Sequence, residues 1–146
     1  MGNERTVKKM KKKLLIFGYG YCANYISEVF LKDDWDVYGI SRSINSFKKE
    51  NLEIISWYDL KKIKLITDEV NKIIISTPPF MGKDPVLINF QSYFKKSLKG
   101  KWIGYLSSTS VYGDHKGEWV NENSKLKSES KFGLDRINIE KDWLSF

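Results

Sequence analysis

Hydrophobic residues enter this chain in short unbroken blocks separated by longer stretches of helical spacing. Lys13-Leu14-Leu15-Ile16-Phe17 is the first block, closed by Gly18. A continuous apolar run of this length predicts a strand covered on both faces, as in a parallel sheet. Residues 22–32 follow with Ala23, Ile26, Val29 and Phe30 at helical intervals. Asp36 to Ile40 reads as a second strand, and Leu52 to Ser56 as a weaker third. Residues 59–70 predict a short, poorly formed helix. Lys72-Ile73-Ile74-Ile75-Ser76 is a strong fourth strand, because three β-branched side chains stiffen it and suit a pleated surface. Pro78 and Pro79 stop it, since proline cannot donate to a ladder. Residues 84–98 predict a helix with Pro85 in its first turn and Gly100 beyond its end. Lys101 to Leu106 is a fifth strand, 107–130 is polar loop, and 131–144 resumes helical spacing through Phe132, Ile139 and Trp143.

Strand and helix alternate throughout. That order predicts a parallel sheet covered on both faces, a doubly wound, Rossmann-like α/β fold of about five strands. With 146 residues the chain is expected to form one domain over 12–146, preceded by a basic tail at 1–11. Hydrophobic residues are 41% and aromatics 14%, which excludes disorder. No apolar run approaches the roughly 20 residues needed to span a bilayer. The four apolar residues after the lysine cluster are too few for an export signal, so a cytoplasmic location is expected. Cys22 is the single cysteine and would be reduced there. One cysteine and one histidine leave no disulfide framework and no expected metal site. The net charge of +7 comes from scattered lysines rather than arginine forks. It predicts a solvated surface and not a nucleic-acid face.

Chemistry enters at Gly18-Tyr19-Gly20-Tyr21-Cys22-Ala23, a G-x-G-x-x-A pattern between the first strand and helix. Gly18 permits the tight turn, Gly20 lets backbone approach a pyrophosphate, and Ala23 keeps the helix close to the sheet. The phosphates would rest on the helix N-terminus, where unpaired N–H groups favour anions. An NAD site expects a carboxylate after the second strand. Ser41-Arg42-Ser43 stands there instead. A guanidinium grips a 2′-phosphate, so NADP is favoured over NAD. Beyond the later strands lie Thr77-Pro78-Pro79, expected beside a cofactor ribose, and the serine-rich segment Ser107 to Asp114.

Ser107-Ser108-Thr109-Ser110-Val111-Tyr112-Gly113-Asp114 resembles the segment after the fifth strand of extended short-chain dehydrogenases/reductases, the nucleotide-sugar epimerase and dehydratase relatives. The Gly18–Ala23 loop and Thr77-Pro78-Pro79 resemble atypical members of that superfamily. The resemblance spans most of 12–144 and implies a chain that stops short of the family's C-terminal substrate region. It implies that Ser108 hydrogen-bonds the reacting oxygen of a small-molecule substrate. It also implies a tyrosine and a lysine four residues apart on the next helix, where this chain has Phe132 and Arg136. Phenylalanine has no proton to give. Arginine keeps a charge for the ribose but does not exchange protons near neutrality. His115 and Glu122 are the other candidates for the proton. Three functions stay open: an NADP-dependent oxidoreductase or epimerase, a nucleotide-binding module without catalysis, and the cofactor half of an enzyme completed by a partner chain. A homo-oligomer is a further possibility.

Overall fold

A computed structural model describes residues 11–44 and 49–145. Residues 1–10, most of the expected basic tail, lie outside the described residues. Five strands, β1 (Lys13–Phe17), β2 (Asp36–Ser41), β3 (Leu52–Ser56), β4 (Lys72–Ile75) and β5 (Trp102–Tyr105), form one sheet in the order β3-β2-β1-β4-β5. Every pairing is parallel. Four α-helices connect and follow them: α1 (Tyr21–Lys32), α2 (Leu60–Glu69), α3 (Pro85–Ser97) and α4 (Lys131–Leu144). A single 3₁₀ turn at Thr109–Val111 interrupts the long loop between β5 and α4.

The apolar blocks bury side chains on both faces, as their continuity predicts. Leu15, Phe17, Ile73 and Ile75 point to one layer, where Ile63 of α2 and Phe90 and Phe94 of α3 meet them. Leu14, Ile16, Val37 and Ile74 point to the other, against Ala23 of α1 and Trp35. Each fully buried residue of this size contributes about 1.5–3 kcal/mol of transfer free energy. The starts of α2, α3 and α4 are capped by side chains. The backbone N–H of Lys62 donates to Asp59, and those of Val86 and Leu87 donate to Asp84. The Asp59 cap makes α2 a regular helix rather than the poorly formed one expected.

Two expected core positions are not core. Val29 is exposed, because Ala23 and Ser27 turn toward the sheet instead. Phe132 begins α4 with 82% of its surface in solvent. Tyr21 and Trp119 are also exposed.

Candidate functional site

In a sheet of this order the chain leaves β1 in one direction and β4 in the other, and a crevice opens at the carboxyl ends of those two strands. Here it is a cleft of about 570 Å³, within the range of small-molecule sites. The loop after β1 forms one lip and the segment after β4 the other. Gly18 sits between them at φ +84°, and a Cβ on it would lie 2.8 Å from the backbone nitrogen of Thr77. Only glycine fits there, for packing as well as for conformation.

Gly20 is different. Its backbone is extended, φ −121°, and a Cβ on it would meet no protein atom within 4 Å. The fold does not require glycine at this position. The empty space in front of it opens on the cleft, at the start of the 12-residue helix α1, whose first turn has no side-chain cap. Helix N–H groups without partners favour an anion there. Tyr21 and Cys22 continue the lip, both exposed, while Ala23 is fully buried against the sheet. The cleft thus collects the whole G-x-G-x-x-A lip except the residue assigned to packing.

The second strand delivers Ser41, Arg42 and Ser43 to the same cleft. The Ser41 hydroxyl accepts from the Ser43 N–H at 3.2 Å, which turns the chain at the strand end. Arg42 is exposed and has no ion-pair partner among the described residues. Thr77, Pro78 and Pro79 line the opposite wall. The Thr77 hydroxyl oxygen is buried and has no hydrogen-bond partner among the described residues. A buried hydroxyl left unpaired costs about 1–3 kcal/mol, and a polar ligand in this cleft would relieve that cost.

Phe80 lines the cleft with the rest of the loop after β4, and Trp57 and Asn89, which were not anticipated, line it too. Trp57 follows β3 and packs edge-on against Phe17 and Phe90. Its signal in the sequence was its place directly after a strand, where ligand-facing residues of such sheets stand.

Ser108, His115 and Arg136 are not part of the cleft wall. Arg136 reaches the end of β5, one strand over, where Ser108 follows in the chain, and His115 lies further along the loop. The Ser108 hydroxyl accepts from the Ser110 N–H at 3.2 Å, closing the 3₁₀ turn. Its own hydrogen has no acceptor among the described residues. His115 Nε2 bonds the carbonyl of Lys125 at 3.0 Å. A carbonyl only accepts, so that nitrogen carries its proton into a contact that ties the loop together. Glu122 is exposed on the same loop. One guanidinium nitrogen of Arg136 donates to the Tyr105 hydroxyl at 2.8 Å and to the Leu106 carbonyl at 2.9 Å.

Much of the Val-Tyr-Gly segment serves the fold. Val111 is buried. Gly113 takes φ +68° beside the Lys127 carbonyl, and a Cβ on Gly133 would strike the Ser128 hydroxyl and the Ser110 carbonyl. The 107–130 loop therefore locks onto the start of α4. No helix among the described residues is long and apolar enough to cross a membrane.

Comparison with known proteins gives the same architecture. No protein-family model matches the chain, and no curated protein does. Solved structures do. A conserved protein of unknown function from Silicibacter pomeroyi superposes with a TM-score of 0.80 at 33% identity, over 91% of this chain and 48% of that one. The Bordetella bronchiseptica enzyme WbmH, solved with NAD+, gives 0.68 at 16% identity over 93% of this chain and 53% of its own. The UDP-Glc/GlcNAc 4-epimerase of Campylobacter jejuni gives 0.71 at 15% identity, over 92% and 48%. The chain has the Rossmann-like fold of these proteins and spans about half the length of each.

Proposed function

We propose that the chain binds a nicotinamide dinucleotide in the crevice between β1 and β4, as a member of the extended short-chain dehydrogenase/reductase superfamily. Gly20 carries this reading. A glycine with open space where its side chain would be answers to something outside the fold, and its place at an uncapped helix start suits a pyrophosphate. The buried, unpartnered Thr77 hydroxyl on the facing wall supports it. So does the solved NAD+ complex of a protein with this fold.

Gly18, Gly20, Tyr21 and Cys22 would hold the pyrophosphate, with Thr77, Pro78 and Pro79 beside a ribose. Ser41, Arg42 and Ser43 would take the 2′-phosphate of NADP. Trp57 offers a flat apolar wall at the β3 side for the base. The bound cofactor supplies hydride chemistry at an oxygen-bearing carbon, and the Ser108 hydroxyl would polarise that oxygen.

Phe132 favours a second reading. It stands exposed at the position where the family's tyrosine would be, and it donates no proton. A binding module without catalysis, or the cofactor half of an enzyme completed by a partner chain, accounts for that substitution. Calorimetric titration with NADP and NAD tests the common core of both readings. Turnover of NADPH with a panel of aldehydes and ketones separates them. Absence of dinucleotide binding at millimolar concentration refutes them together.

A further inference from the structure

Reduction of a carbonyl needs a proton for the oxygen, and the groups the sequence offers for that task are occupied or misplaced. Phe132 has none, the Nε2 proton of His115 is bonded to a carbonyl, and Glu122 is exposed on the loop. Tyr105 remains. It is the last residue of β5 and pairs in register with Ile75. The residues after Ile75, Ser76 and Thr77, line the cleft, and neighbouring strands are about 4.8 Å apart. Ser108 lies three residues further along the same chain. The Tyr105 oxygen accepts from Arg136 at 2.8 Å. Its own hydrogen has no acceptor among the described residues.

We propose that Tyr105, held by Arg136, is the proton donor for the substrate oxygen at the end of β5. The proposal rests on dinucleotide binding as argued above and supplies the acid that reading leaves open. The phenolic O–H bond breaks and a new O–H bond forms on the substrate oxygen as it gains its electron pair. The phenolate left behind faces the Arg136 cation and regains a proton from water. Phenol and cation are drawn here from a strand and a helix. Burial raises the Tyr105 pKa above its ordinary value, and the Arg136 charge and hydrogen bond oppose that rise. Asp84 ahead of α3 and Glu140 on α4 face the same phenol and add to the rise. The phenol is therefore protonated at neutral pH, as an acid must be.

The test reads the phenol directly. The full chain labelled with ¹³C at tyrosine Cζ gives eight resonances, and Tyr105→Phe assigns one of them. Addition of NADP+ is expected to move that resonance and lower its titration midpoint by about one pH unit, because the oxidised nicotinamide ring is positively charged and favours a nearby phenolate. Arg136→Gln is expected to raise the midpoint of the free protein. A Tyr105 that merely packs would show neither response to the cofactor. The proposal is overturned when Tyr21, at the cleft lip, responds to NADP+ while Tyr105 keeps its shift and midpoint. If no tyrosine responds and calorimetry shows no heat, dinucleotide binding itself fails.

Discussion

Gly18 and Gly20 stand two residues apart and answer to different demands. Gly18→Ala places a Cβ against the Thr77 backbone at a positive φ. It should destabilise the fold by about 1–2 kcal/mol from conformation alone, with more from the clash, visible as a lower denaturant midpoint. A Cβ at Gly20 meets no protein atom, so Gly20→Val should leave that midpoint nearly unchanged. Its cost belongs in the cleft, where dinucleotide affinity should fall at least tenfold, or about 1.4 kcal/mol. At the opposite rim, Arg42 has no ion-pair partner among the described residues. Arg42→Ala should weaken NADP by about 1.5–3 kcal/mol and leave NAD nearly as before. Parallel titrations with the two cofactors check it.

At the scale of elements, most of the fold was legible because each strand is an apolar block ended by a breaker. Phe17–Gly18 and Ser76-Thr77-Pro78 mark strand ends without ambiguity. The glycine loop and the Ser41-Arg42-Ser43 turn could be placed at the cleft for the same reason, since each follows a recognisable strand. Trp57 was harder to place. It looks like any core aromatic, and only the packing of Phe17 and Phe90 behind it shows that its outer side borders the cleft. The role of Arg136 was also hidden, because its partners, Tyr105 and Leu106, lie 31 and 30 residues away. α4 shows how such distant contacts hold an element. Asp84 is buried, caps α3 with one oxygen and accepts from the Trp143 indole at 2.9 Å with the other. Asp84→Ala removes a cap worth about 0.5–2 kcal/mol and a hydrogen bond from the Trp143 indole worth about 0.5–1.5 kcal/mol. Chemical denaturation should show a loss of about 1–3.5 kcal/mol, together with earlier exposure of Trp143 fluorescence.

The whole molecule is a parallel sheet whose two central strands, β1 and β4, part above a cleft. Its neighbour β5 carries Tyr105, which Arg136 reaches, and Ser108 follows in the chain. These two regions would serve the two ends of one ligand, phosphates and ribose in the cleft and the reacting carbon by β5. Proteins of the same fold are about twice as long, so the substrate they act on does not carry over to this chain by length alone. The proposed cofactor site is built from residues within this chain. Gly20 and Thr77, the two residues that argue for it, both lie within the described cleft. The central claim is therefore tested most directly by calorimetric titration of the wild-type chain and Gly20→Val with NADP. A single site in the wild type, weakened at least tenfold (about 1.4 kcal/mol) in a variant of equal stability, is the result predicted. Equal affinity in both proteins, or no binding by either, would contradict it.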